Sequence, residues 1–209
     1  MRQRFSAEQA QALAVDNAAT FYLAGHETTA NALAWTLFLL AAQPALQDEL
    51  AVEAGTAVAA SEEGGQLTDR LPRLRLFLME SLRLYPPVPR FDRQALAADR
   101  IGTIDVEPGD IISIWPWLLH RHARLWDDPD AFDIERFAAK GNRHRFQYLP
   151  FGAGGRICVG AQFATTEALS ILAHWLSEWR FVDAGHPVRP AGMVTLRPAG
   201  GLPLRLEGR

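Results

Sequence analysis

The stretch from Ser6 to Gln43 reads as one helix, and its length constrains the fold more than any other feature of the chain. Ser6 and Gln9 have the spacing of a capping box, and Pro44 closes the far end. Such a helix is roughly 55 Å long, and in a globular protein that length usually means it crosses the whole molecule. Apolar residues recur at Leu13, Phe21, Leu33, Leu37 and Leu40, but Ala24-Gly25-His26-Glu27-Thr28-Thr29 interrupts them. Gly25 leaves room for a flat group or a bound molecule, and Glu27 and Thr28 set an acid beside a hydroxyl. A threonine inside a helix can bond back to the carbonyl four residues earlier and distort the turn. The same residues also suit close packing of one helix on another, and this stretch alone does not separate the two readings.

The remaining elements are predicted as shorter pieces. A helix from Pro44 to Thr56 is followed by a solvated loop from Ala60 to Thr68. A second amphipathic helix starts at Pro72, carries Leu74, Phe77, Leu78, Leu82 and Tyr85 on one side, and stops at Pro86-Pro87. Glu80 and Arg83 share a face of that helix. Prolines hold Val88 to Arg93 extended. Ile101 to Ile114 reads as a β-hairpin around Glu107-Pro108-Gly109-Asp110. Trp115 to His122 is a short helix or turn, in which His120 and His122 lack the partners of a zinc site. A loop from Ala138 to Pro150 precedes the final helix, Ala161 to Trp179, whose apolar stripe is Ala168, Leu172, Trp175, Leu176 and Trp179. Short strands are predicted at Arg180–Val182, Val194–Leu196 and Leu202–Leu206.

With 209 residues, 48% hydrophobic and 22% charged, the chain has enough apolar material for one core. A net charge of -3 gives no electrostatic case for nucleic acid or an anionic membrane, although Arg143-His144-Arg145 could dock an acidic partner. The single cysteine excludes an intrachain disulfide and a four-cysteine zinc site. No targeting signal is recognisable at the start, and the longest apolar run, Ala32 to Ala42, is too short to span a bilayer. A cytoplasmic location is the expectation.

That cysteine lies in Phe151-Gly152-Ala153-Gly154-Gly155-Arg156-Ile157-Cys158-Val159-Gly160, which runs directly into the final helix. The glycines let the backbone turn tightly and pass close to a flat cofactor. Cys158 stands just before a helix N-terminus, where free N–H groups and the helix dipole favour an anion such as a thiolate. A small buried core cysteine is the alternative. The spacing Phe-x-x-Gly-x-Arg-x-Cys-x-Gly closely resembles the haem-binding loop of the cytochrome P450 family. The segments Ala24–Thr29, Glu80–Pro87 and Phe132–Phe137 resemble, in the same order, that family's Ala-Gly-x-Glu-Thr-Thr, Glu-x-x-Arg and Pro-Glu-Arg-Phe segments. Ile134 stands where proline is usual.

The resemblance implies a mainly α fold with small β regions, residues 1–209 forming one partial domain that corresponds to the family's C-terminal half, its N-terminal half absent. It implies that Cys158 is the axial ligand of a haem b iron, in a cofactor site also formed by Phe151, Gly154, Gly160 and Gly25, with Arg156 and Arg93 meeting the propionates. Thr28 and Glu27 would relay protons for dioxygen activation. Glu80, Arg83 and Arg136 would form a buried network supporting the loop. Ala24, Val88, Phe91 and Val194, with its neighbours Met193 and Thr195, would line the substrate pocket. The implied activity is a haem-thiolate monooxygenase acting on a hydrophobic molecule, with electrons from NAD(P)H through a ferredoxin or flavoprotein. The alternative is an inactive remnant, or a haem-binding fragment that needs a complementing chain.

Overall fold

The computed structural model describes residues 5–62, 66–138 and 143–209. Helix α1 (Ala7–Ala42) carries the expected capping box: Gln9 N–H donates to Ser6 Oγ at 3.2 Å and Ser6 N–H to Gln9 Oε1 at 2.9 Å. From Thr29 onward α1 enters the core through Ala32, Leu33, Trp35, Leu39 and Leu40. Before that it is solvated, and Leu13 and Phe21 are 46% and 61% exposed because no described element packs over them.

At Gln43 the chain turns through 118° into α2 (Pro44–Glu62). No single described helix is long and apolar enough to cross a membrane. Helix α2 runs past the expected end at Thr56, because Ala57, Ala59 and Ala60 continue it with the strongest helix former. The loop expected over Ala60–Thr68 is therefore mostly something else: its first residues belong to α2, Glu63, Gly64 and Gly65 lie outside the described residues, and a 3₁₀ turn begins at Leu67.

Helix α3 (Pro72–Leu84) buries Leu74, Phe77, Leu78, Leu82 and Leu84. Its free N-terminal donors are satisfied from α2, since Arg73 N–H and Leu74 N–H donate to the Glu53 carboxylate at 3.0 and 2.9 Å.

Among the described residues the β region consists of four antiparallel pairs. Strand β1 (Phe91–Gln94) is followed by β2 (Asp99–Ile101), β3 (Ile104–Val106) and β4 (Ile111–Ile114). Here the expected hairpin is corrected. The turn at Glu107–Asp110 is real, with Asp110 N–H donating to Glu107 O at 3.1 Å and Gly109 at φ 98°, but its flanking strands do not pair. Instead β2 pairs with β3 across Gly102-Thr103, and β4 returns to β1, Phe91 opposite Ile114. After α4 (Pro116–Leu119) comes a long irregular stretch that includes a 3₁₀ turn at Ile134–Phe137; residues 139–142 of the loop expected over Ala138–Pro150 lie outside the described residues.

Helix α5 (Ala161–Glu178) packs along α2, burying Ala168, Leu169, Leu172, Ala173 and Leu176. Trp175 and Trp179, expected in that stripe, are 39% and 40% exposed; the buried face instead takes Leu169 and Ala173, nearer the true helical period. Strand β5 (Trp179–Asp183) pairs with β8 (Leu204–Gly208), and β6 (Pro190–Gly192) with β7 (Leu196–Pro198). The strand expected at Val194–Leu196 thus starts only at its last residue, and Met193 to Thr195 form the bend between β6 and β7. Gln47, fully buried, ties these pieces together by donating to Leu40 O at 2.8 Å and accepting from Phe181 N–H at 2.7 Å.

Candidate functional site

Between the middle of α1 and the start of α5 lies a cleft of about 800 Å³, within the range of small-molecule sites. Helix α1 contributes Ala24, Gly25, Thr28, Thr29 and Ala32, which fall on one face at helical spacing. Opposite them stand Phe151, Arg156, Cys158 and Gly160 of the glycine-rich loop and Phe163 of α5, while Val88, Phe91 and Arg93 close one edge. Ten of the site residues read from the sequence thus meet in one place.

Among the described residues a Cβ on Gly25 would meet nothing within 4 Å, so no described helix requires glycine there, and Gly25 lines the cleft. In the loop, Gly152 and Gly154 have φ of 71° and 72°, a conformation that other residues adopt only with strain. Those two turns bring Cys158 N–H back to Phe151 O at 2.9 Å, closing the loop and leaving the cysteine exposed at the cleft wall. Cys158 is therefore not a buried core thiol. Gly154 itself does not line the cleft; it serves the turn.

The charges fit an anionic, flat occupant. Asp92, also on the cleft, is already held by Arg90 at 2.6 Å and by Ser113 at 2.7 Å, and those hydrogen bonds lower its carboxyl pKa to about 2. Among the described residues neither Arg93 nor Arg156 has a carboxylate partner, so two guanidinium groups face the cleft uncompensated. One sulfur, two cations, and apolar walls of Phe151 and Phe163 fit the thiolate, propionate and ring contacts a haem needs, with Val88 and Phe91 forming a separate apolar edge. No group of three or more histidine, cysteine or carboxylate side chains that could hold a metal occurs among the described residues.

Thr28 Oγ1 donates to Ala24 O at 2.7 Å, the back-bond expected of a mid-helix threonine, yet α1 continues without a break. The hydroxyl oxygen keeps its lone pairs for an occupant of the cleft. Glu27 does not line the cleft. Its Oε1 accepts from Thr195 Oγ1 at 2.6 Å on another face of α1. Val194 does not reach the cleft either, being 85% exposed in the β6–β7 bend.

Behind the loop, Glu80 and Arg83 are both fully buried and paired through two bonds of 2.7 and 2.8 Å. Arg83 also donates to His120 O, Pro129 O and Ala131 O, and Asp133 N–H donates to Glu80 Oε1 at 3.0 Å. Arg136 joins as expected. Its Nε lies 3.4 Å from Glu80 Oε1, an ionic contact too poorly aligned to be a hydrogen bond, while Nη1 and Nη2 donate to Asp127 O and Asp128 O. Ile134 in place of proline is buried, so the turn gains core contact.

Two supports were not apparent from the sequence. His120, fully buried, accepts from Leu149 N–H through Nε2 at 2.8 Å and has Nδ1 3.2 Å from Arg83 O, which assigns the Nδ1–H tautomer. Tyr148 donates to Met79 O at 2.9 Å, and burial, reinforced by the Glu80 carboxylate, pushes its hydroxyl pKa up. Both struts run from α3 to the residues that open the cysteine loop. A histidine one turn after Pro116 and a tyrosine just before Leu149-Pro150 were the available signals.

A family model described as Cytochrome P450 matches residues 6–200. The chain is 35% identical over 201 residues to "Probable cytochrome P450 4aa1" of Drosophila melanogaster, covering 93% of this chain and 39% of the relative. It is 36% identical over 210 residues to "Cytochrome P450 714C3" of Oryza sativa subsp. japonica, covering 95% and 40%. It is also 34% identical over 202 residues to "Echinocystic acid 23-monooxygenase" of Saponaria officinalis, covering 93% and 39%. The chain thus spans less than half the length of these curated relatives.

Proposed function

The chain belongs to the cytochrome P450 family of haem-containing oxidoreductases, and on that footing we propose that it forms the haem-bearing C-terminal part of a haem-thiolate monooxygenase. The reaction is insertion of one oxygen atom of dioxygen into an organic, hydrophobic molecule. The observation that carries this reading is the cleft in which Cys158, Arg93 and Arg156 face Gly25 and Thr28.

In this reading the cofactor is haem b, which when bound supplies the activation of dioxygen. Cys158 would supply the thiolate that holds the haem iron, and Arg93 and Arg156 would hold the cofactor's two carboxylates. The walls formed by Val88 and Phe91 favour an apolar substrate. Thr28 holds a proton at Oγ1 beside the cleft, and Glu27, exposed on the next turn face, exchanges protons with solvent. Electrons come from a ferredoxin or flavoprotein.

A second reading is favoured by the solvated part of α1. Phe21, Tyr22 and Leu23 are 61%, 73% and 71% exposed, an apolar surface that suits a covering polypeptide. Residues 1–209 would then be one part of a larger domain, active only when that part is joined.

Thr28→Val tests the enzyme reading in haem-loaded protein supplied with reductant, dioxygen and a panel of hydrophobic substrates. Reductant use is expected to continue while product per reductant falls by about tenfold or more, within the usual worth of a positioned proton donor. An unchanged ratio would count against the proton relay.

A further inference from the structure

On α1, Gly25, Thr28 and Ala32 face the cleft, whereas Asn31 and Ala34 border the β6–β7 hairpin on the other side. Glu27 belongs to the second set, one helical turn before Asn31, and it is bound there by Thr195. The bond is short, 2.6 Å, as expected when a hydroxyl donates to an ionised carboxylate. Thr195 is only 6% exposed although Met193 and Val194 beside it are 76% and 85% exposed. Burying one polar residue within a solvated bend calls for a partner, and Glu27 is that partner.

The backbone around Thr195 is held from several sides. Met193 N–H donates to Thr195 O at 3.1 Å, and Leu196 N–H donates to Pro87 O at 2.8 Å. Trp35 Nε1 of α1 donates to Leu196 O at 3.0 Å, so a second side chain of the same helix is tied to the same segment. Pro87 and Val88 line the cleft. A continuous path of bonded groups therefore connects the cleft wall to the Glu27 carboxylate.

We infer that Thr195 is a positioning residue for the Glu27 carboxylate, its hydroxyl holding the acid on the hairpin side of α1, adjacent to Thr28 but off the cleft. The inference rests on the proposed role of Glu27 and Thr28 in proton delivery and adds the group that orients the acid. Oε1 accepts from Thr195, and the Glu27 carboxylate keeps Oε2 for a further partner. Without the hydroxyl the carboxylate is free to change rotamer, and its orientation relative to Thr28 is lost. The bond also makes the acid sensitive to movement of the β6–β7 bend, since a shift of Thr195 must carry or release Oε1.

The test uses the 209-residue chain with haem added and its glutamates labelled with ¹³C at the carboxyl carbon. Glu27→Gln identifies the Glu27 carboxylate band in the infrared spectrum by its loss. Thr195→Val should shift that band, and Thr195→Ser, which keeps the hydroxyl, should leave it in place. An unmoved band in Thr195→Val, or an equal shift in Thr195→Ser, would overturn the assignment. The reduced, carbon-monoxide-bound spectrum of the same samples separates this from the wider reading. A thiolate-type Soret band in all Thr195 variants is expected, and with it an unmoved infrared band sinks Thr195 alone. Its absence from the unsubstituted chain overturns the haem-thiolate reading and the role of Thr195 with it.

Discussion

Glu80→Ala should destabilise the fold by about 3–5 kcal/mol, the usual cost of removing one partner from a fully buried ion pair. Both side chains of the Glu80–Arg83 pair are inaccessible to solvent, so the remaining guanidinium cannot recover its energy from water. Arg83 would keep its bonds to three backbone carbonyls, but Asp133 N–H would lose its acceptor and Arg136 its counter-charge. Those carbonyls belong to His120, Pro129 and Ala131, and through His120 the disturbance reaches Leu149 at the entrance to the cysteine loop. The variant should therefore also fail to take up haem. Glu80→Gln keeps an acceptor for Asp133 N–H and should lose less. Chemical denaturation reads both, and a Glu80→Ala cost below about 1 kcal/mol, typical of an exposed pair, would refute the network.

Acid should remove a further part of the stability through His120. Burial, which disfavours the charged imidazolium, lowers its pKa from 6.5 to about 4, and the nearby Arg83 and Arg121 charges act in the same direction. The folded chain therefore binds fewer protons than the unfolded chain between these values. The contribution is fully present above pH 6.5 and is lost as pH falls towards 4, by about 3 kcal/mol over the interval. Carboxylates titrate near the acid end of this range, so the comparison is with His120→Gln, which has no proton to gain. Its unfolding free energy should be lower at pH 7, because Leu149 N–H loses a well-placed acceptor, but should fall less steeply with acid. Parallel pH dependence in the two proteins would show that His120 is not the group responsible.

The site was more legible in the sequence than the supports that hold it. Short-range spacing carries the loop chemistry: glycines at 152 and 154 are needed by the backbone itself, and Cys158 follows at a fixed offset. Periodicity carries α1 and α3, whose caps and buried faces are local properties. What depends on tertiary partners was less visible. Glu107-Pro108-Gly109-Asp110 is a genuine turn, yet which strand Ile111–Ile114 would choose depends on β1, far earlier in the chain. His120 and Tyr148 matter because of Arg83 O and Met79 O, and no residue type announces such a backbone partner. Trp175 and Trp179 look like core residues by composition, but the phase of α5 is set by Leu169, Leu172, Ala173 and Leu176 against α2. The same limit applies to Glu27, whose neighbour in sequence is Thr28 but whose partner in space is Thr195.

The most direct measurement is the reduced, carbon-monoxide-bound absorption spectrum of the 209-residue chain reconstituted with haem, compared with Cys158→Ala. The Soret position reports whether the axial ligand is a thiolate. A thiolate-type band in the first protein that is missing from the second is the expected result, because the loop leaves one sulfur exposed on a cleft that carries two guanidinium groups with no carboxylate partner among the described residues. The same neutral-ligand band in both proteins, or no specific haem binding in either, would contradict the assignment of Cys158 and of the cleft around it.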